Sequence, residues 1–319
     1  MVDLETVLVL GAGASKDFGF PTGRELVKQV KQEVSAGGGH SQLFSECAKE
    51  LKLNMVDSFL SSLEQADPLS VDAWLEHNPT FIEIGKVAIA ITLLHREGHS
   101  KLRSENNWYQ LLFDRLNSPF DRFQDNRLSI ITFNYDRSLE QYLFKTFRYT
   151  HTVKNEKECK EKLNQLRIVH VYGSLGRLEW QCDDPEQSIP EVPYGGAGLH
   201  QDRVISASKS IKIMPEGQQL GIEFDKAKNW IGCANALYFL GFGYHQTNME
   251  RLGIETLKKA PKVMGTSLGL GYQEIREIER LHIRSLVRET GLFPKPVYEF
   301  LHDHIDFNER SYPPKFLRS

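Results

Sequence analysis

The segment Thr6–Ser15, Thr-Val-Leu-Val-Leu-Gly-Ala-Gly-Ala-Ser, constrains the fold more than any other part of the chain. Its first half carries no charge and is mostly branched aliphatic. That is the pattern of a strand buried on both faces of a parallel sheet. The chain then breaks at once into glycine and alanine. Thr22-Gly23-Arg24-Glu25 follows as a capping box, opening a helix whose apolar stripe is Leu26, Val27, Val30 and Val34. Strand, glycine turn and helix start together form the arrangement that holds a phosphate. Glycine lets the backbone come close, and unpaired N–H groups face the anion. The expectation is a nucleotide held by Gly11, Ala12, Gly13, Ala14 and Ser15. A tight turn with no ligand satisfies the same residues.

The motif departs from the ordinary dinucleotide fingerprint. Lys16 stands where the third glycine belongs, and no second strand ending in an acid follows at the distance of a ribose contact. Instead Phe18-Gly19-Phe20-Pro21-Thr22 forms a stiff apolar segment. Phe20, Pro21 and Thr22 are expected to lie over the bound ligand.

The rest of the chain sets the frame. Its 319 residues suffice for one large domain, and 40% hydrophobic with 25% charged residues is the ordinary globular range. A net charge of −3 gives no general affinity for nucleic acid or anionic lipid. The apolar N-terminus is too short for a signal peptide and carries Asp3 and Glu5, and the run Val87–Leu94 is too short to span a membrane. The expected location is the cytoplasm, with no membrane and no nucleic-acid partner.

Strand patterns recur at Leu128–Thr132, Arg167–Val171, Ala236–Leu240 and Lys262–Gly265, with an edge strand over Pro294–Leu301. Helical patterns cover Ser138–Phe147 and Tyr272–Val287, and Asp183–Gly198 reads as a loop. Strands alternating with helices argue an α/β fold: a doubly wound, Rossmann-like parallel sheet. From Ser41 to Leu116 no strand signal survives. Val56, Phe59, Leu60 and Leu63 share one helix face, and Ile84, Val87, Ala88, Ile91 and Leu94 another. The expectation is a large all-helical insertion after the first βα unit. It occupies 36–124 of a single domain whose nucleotide-binding part is 1–35 plus 125–319.

Two strand ends carry polar residues that a core does not need. They are Thr132-Phe133-Asn134-Tyr135-Asp136 and His170-Val171-Tyr172-Gly173-Ser174. Ligands of parallel α/β sheets sit beyond the carboxyl ends of the strands, so both should meet the glycine loop at one crevice. Asn134 can orient a water or a ribose hydroxyl, Asp136 can stabilise a developing cation, and His170 can take a proton near neutral pH. The same Asn134 and Asp136 can instead cap the next helix, and a histidine in an apolar strand can be a satisfied core residue.

Taken in order, Gly-Ala-Gly-Ala-Ser, Gly19-Phe20-Pro21, Phe133-Asn134-Tyr135-Asp136 and His170-Val171-Tyr172-Gly173-Ser174 resemble the motif set of the sirtuin superfamily. The resemblance covers roughly 5–35 and 128–270. It implies that the glycine loop binds NAD, that Asn134 and Asp136 surround the nicotinamide ribose and carboxamide, and that His170 is the catalytic base. Gly241, Phe242 and Gly243, with Thr266 and Ser267, resemble the loops that complete the NAD site. The two CxxC pairs of the deacylases' zinc module are missing, and Phe133 replaces their usual glutamine. The helical block resembles that of divergent bacterial sirtuin-like proteins of anti-phage defence. This implies an NAD hydrolase that depletes NAD and is controlled by a trigger or a partner defence protein; the apolar surface of the helical insertion points separately to self-association. A non-catalytic sensor of NAD or ADP-ribose and an NAD-dependent deacylase are the alternatives.

The chemistry needs no metal. Nicotinamide leaves as a neutral group, so positioning and an oriented water suffice. His302-Asp303-His304 would place two imidazoles on one strand face, but no third ligand is visible. Cys47, Cys159, Cys182 and Cys233 are too dispersed to supply the paired thiolates of a structural zinc site. Elemental analysis of chelator-washed protein is therefore expected to find no stoichiometric zinc. One tightly held zinc per chain, with unfolding on its removal, would contradict this.

Overall fold

The computed structural model describes residues 1–152, 154–181, 189–195, 198–215, 220–254, 261–283 and 290–305. Among these, the strands are β1 (Thr6–Leu10), β2 (Leu128–Thr132), β3 (Arg167–His170), β4 (Ala236–Leu240), β5 (Lys262–Thr266) and β6 (Thr290–Phe293). The helices between β1 and β2 are α1 (Gly23–Val34), α2 (Ser41–Glu50), α3 (Val56–Ala66), α4 (Val71–His77), α5 (Ile82–Leu94) and α6 (Trp108–Leu116). Then come α7 (Ser138–Thr150), α8 (Glu156–Leu163), α9 (Gln201–Ser210), α10 (Ile222–Cys233), α11 (Gln246–Leu252), α12 (Tyr272–Ile278) and α13 (Val297–His304).

The strands form one sheet in the order β3-β2-β1-β4-β5-β6, and every neighbouring pair is parallel. This is the doubly wound Rossmann order, whose direction reverses between β1 and β4. β1, β2 and β4 are buried at every residue, as their uncharged sequences require. β3 lies at an edge and is half-buried, so Arg167 reaches solvent and pairs with Glu5 at 2.8 Å. No helix among the described residues is long and apolar enough to cross a membrane.

All described elements between α1 and β2 are helical. At their centre is α5, apolar on every side rather than along one stripe; Ile84 and Val87–Leu94 are all buried. Thr92 resolves its own burial by donating to the Ala88 carbonyl at 2.9 Å. α1, α2, α3 and α4 pack on α5, and so does α9, which comes from well beyond residue 124. The helical layer is thus completed by a late segment that sequence order assigns elsewhere.

The C-terminal expectations need correction. Pro294–Leu301 is no edge strand: β6 ends at Phe293, and Val297, Phe300 and Leu301 are buried at helical spacing after Pro296. His302 and His304 therefore sit in the last turn of α13, not on a strand face. The helix beginning at Tyr272 passes into a π-helical turn at Glu279–Ile283, and 284–287 lie outside the described residues, as does half of the Asp183–Gly198 segment.

One buried ion pair joins the helical layer to the sheet. Glu97 follows α5, and Arg137 precedes α7; their side chains are 0% and 1% exposed. Arg137 donates to Glu97 from Nε at 3.0 Å and from Nη2 at 2.8 and 2.7 Å, and its Nη1 donates to the Val192 carbonyl at 2.5 Å. Arg203 of α9 adds a contact to Glu97 at 3.3 Å. Removing one partner leaves a bare buried charge. Arg137→Met is therefore expected to destabilise the fold by about 3–5 kcal/mol in urea titration. A loss below about 1 kcal/mol, the worth of an exposed pair, would show that water reaches Glu97.

Candidate functional site

The carboxyl ends of β1, β2 and β3 converge through Asn134. Its Nδ2 donates to the Gly11 carbonyl and to Ser15 Oγ, each at 3.0 Å. A carbonyl only accepts, so the amide's orientation is settled: nitrogen toward the glycine loop, oxygen away from it. Among the described residues Oδ1 takes no hydrogen bond, and it remains as an acceptor. The main-chain carbonyl of Asn134 faces His170 Nδ1 at 2.7 Å, and its N–H donates to Thr132 Oγ1 at 3.1 Å.

His170 is held at both ring nitrogens. Nδ1 must donate, because its partner is a carbonyl. Nε2 lies 2.6 Å from Glu140 Oε1, on the first turn of α7. Burial works against the imidazolium, but the Glu140 carboxylate, the Asn134 carbonyl and Asp136 together outweigh it and hold His170 above the ordinary histidine range. Asp136 is 7% exposed and accepts from the Ser138 N–H at 3.2 Å and from the Ser138 hydroxyl. Burial pushes its carboxyl up, while hydroxyl contacts from Ser138 and Ser15 pull the other way. Asp136 therefore takes the first N–H of α7, close to the capping role that one reading of the sequence allowed. Ser15, Thr132, Asn134, Asp136, Glu140 and Tyr109 line a cavity of about 10 Å³, the size of a single water.

The glycine loop is built differently from the expectation. Gly11 N–H donates to the Leu240 carbonyl at 3.0 Å, Gly13 N–H to Gly241 at 2.9 Å, and Ala14 N–H back to Gly11 at 2.9 Å. These groups are not left for an anion. The glycines serve a close approach between the loops after β1 and β4. A Cβ on Gly13 would fall 2.9 Å from Gly241 Cα, and one on Gly241, at φ +57°, would fall 2.1 Å from the Ala14 nitrogen. Ala12 begins the 3₁₀ turn that ends at Phe18.

The other expected ligand residues divide. Phe20 and Pro21 are buried beside the turn, and Phe20 N–H donates to Ser15 at 3.3 Å. Thr22 is spent on the helix: its N–H and hydroxyl both donate to Glu25 Oε2 at 2.8 Å. Thr266 accepts from Gly241 N–H at 2.7 Å, which ties the β5 end to the loop after β4. Phe242 packs edge-on against Phe133 at 5.0 Å, and Gly243 follows it in the same loop. Ser267 is buried, and its Oγ has no hydrogen-bond partner among the described residues.

The helical layer supplies a second wall that sequence reading missed. Trp108 Nε1 donates to the Ala14 carbonyl at 2.7 Å, and Tyr109 stacks on Phe18 at 3.6 Å with its hydroxyl 2.7 Å from Ser138. From α4, Asp72 accepts from the Tyr135 hydroxyl at 2.5 Å, and Glu76 pairs with Arg251 at 2.9 Å. Arg251 in turn meets the Tyr172 hydroxyl. Glu140 alone had a sequence signal: it is an acid in the first turn of a helix, followed at helical spacing by the apolar Leu143, Phe144 and Phe147.

Among the described residues no group of three or more His, Cys, Asp or Glu is placed to hold a metal ion. Cys47 and Cys159 are buried apart on α2 and α8, Cys233 is exposed at the end of α10, and Cys182 lies outside the described residues.

No protein-family model matches the chain, and no curated protein matches it. Among solved structures it is similar to Sir2 in complex with the inhibitor EX-527, 2'-O-acetyl-ADP-ribose and a deacetylated p53 peptide, at 13% identity and a TM-score of 0.38. It is also similar to Sir2Tm bound to a propionylated peptide, at 14% identity and a TM-score of 0.39. Each similarity covers 93% of this chain and 90% of the other. The assignment of the fold as Rossmann-like rests on the strand order itself.

Proposed function

We propose that the chain cleaves NAD, releasing nicotinamide and ADP-ribose. The observation that carries this reading is the Asn134 junction. It joins the glycine loop, the second strand end and His170 within hydrogen-bonding distance, while its amide oxygen stays free. The sirtuin-like motif set implies that the glycine loop binds NAD, that Asn134 and Asp136 surround the nicotinamide ribose, and that His170 is the base.

The reaction asks little of the protein in acid–base terms. The bond from the ribose C1′ to the nicotinamide nitrogen breaks, its electron pair leaves with nicotinamide, and the positive pyridinium becomes a neutral ring. A water oxygen bonds to C1′, and one proton is released. Asn134 Oδ1 orients that water. Asp136 stands by as the negative group opposite the positive charge that develops on the ribose. His170, to which the motif resemblance gives the part of the base, completes the catalytic set. Phe20, Pro21, Gly241, Phe242, Gly243, Thr266 and Ser267 shape the space around the nucleotide. NAD is here a substrate, and the chemistry draws on no metal. The likeness of the helical block to anti-phage sirtuin-like proteins extends the proposal to NAD depletion in defence. Self-association or a defence partner would then be the control.

A second reading, a sensor that binds NAD or ADP-ribose without turnover, is favoured by one observation: both nitrogens of His170 are already engaged. Incubation of the purified chain with NAD, with free nicotinamide followed by chromatography, separates the two. Asn134→Ala and His170→Ala are each expected to lower nicotinamide release by at least about 10²-fold while calorimetry still detects NAD binding. Binding without release in the parent chain would establish the sensor. Parent-like release by both variants would place the chemistry elsewhere.

A further inference from the structure

Glu140 is a buried acid that the proposed reaction leaves without a task. Its side chain is 4% exposed on a helix face otherwise filled by Leu139, Leu143, Phe144 and Phe147. A carboxylate there costs desolvation that a leucine would not, and it persists only when paired. Its partner is His170 Nε2 at 2.6 Å.

The pairing determines what the imidazole does. With Nδ1–H committed to the Asn134 carbonyl and Nε2 facing a carboxylate, the ring donates at both ends. No ring nitrogen is left to accept a proton from water. The ring acts instead as a bridge from α7 to the main chain of Asn134, the residue whose amide oxygen stands free. Other groups around it fit that state. Asp136, from the turn before α7, adds negative charge, and Tyr109 from α6 is kept neutral by burial. From α10, which also packs on β3, the buried acid Glu223 is taken by Lys212.

We propose that Glu140 is a positioning residue of the site: it holds the His170 ring as a double donor, and the ring in turn fixes the backbone from which Asn134 presents its amide oxygen. The proposal rests on the reading of the site as one that cleaves NAD, and it departs from it in one respect. The working form of His170 is the charged ring, not the free base.

The sign of the pH effect follows. A histidine whose titration is raised in the folded state keeps its pairing below the ordinary range near pH ~6.5 and loses it as pH climbs through the raised value. Nicotinamide release should therefore fall on the alkaline side as His170 deprotonates. Glu140→Gln keeps the shape and removes the charge, and a thermal melt verifies that it folds. Two readouts follow for parent and variant: the His170 titration by NMR of histidine-labelled protein, and nicotinamide release against pH.

Glu140→Gln is expected to lower the His170 titration midpoint. The alkaline fall in release should move to lower pH with it, and kcat should drop about 10-fold or more with KM little changed. A His170 titration that ignores the substitution would overturn the pairing. A titration that moves while the pH–rate profile stays put would reduce the pair to a structural one and overturn the positioning role. Should the parent release no nicotinamide at any pH, the NAD reading fails and the positioning role fails with it. The NMR titration then still reports, separately, whether the pair exists.

Discussion

A single amide side chain ties the carboxyl end of this sheet together. Asn134 donates to Gly11 and Ser15 from one nitrogen and accepts from His170 at its main-chain carbonyl. Two of these contacts reach the loop after β1 and one reaches the end of β3, so the loops after β1, β2 and β3 cannot shift independently. On the far side of the switch point the same loop is pinned by Gly11 and Gly13 to the backbone after β4, at separations no side chain would allow. The region where a Rossmann sheet receives its ligand is here a narrow seam closed by these hydrogen bonds.

The helical layer is part of this seam rather than an appendage. Trp108 and Tyr109 brace the turn after β1 from below, while Asp72 and Glu76 hold Tyr135 and Arg251 from α4. The buried Glu97–Arg137 pair fixes the start of α7, and with it the placement of Asp136 and Glu140. A buried ion pair is an expensive way to join two layers, since hydrophobic contact would be at least as stable. What it adds is direction. Arg137 meets Glu97, Val192 and Gly176 in one geometry, so α7 has one permitted starting point.

Much of the sheet was legible in the sequence because three central strands are buried throughout. Thr6–Leu10, Leu128–Thr132 and Ala236–Leu240 run to their full expected lengths. The meeting of Asn134 with the glycine loop and with His170 followed from a general rule about strand ends. The rest depended on contacts between distant segments. Nothing local in Gln201–Ser210 reveals that it packs on α5, and nothing local in Trp108 reveals that it braces Ala14. The C-terminal strand was misplaced because a short apolar run reads equally as strand or helix. Burial at Val297, Phe300 and Leu301 decides for helix. The expectation of free N–H groups in the glycine loop failed for a similar reason: the sequence shows glycines, not what comes close to them.

The central claim is that a dinucleotide is received at the carboxyl ends of β1 to β5, around Asn134. Amide hydrogen exchange with and without NAD, read by mass spectrometry, tests this directly. The account predicts new protection in peptides spanning 11–22, 132–136, 170–174, 241–243 and 266–267. Protection confined to other surfaces, such as the open cavity between His99–Arg103 and the second half of α7, with the strand ends unchanged, would contradict it.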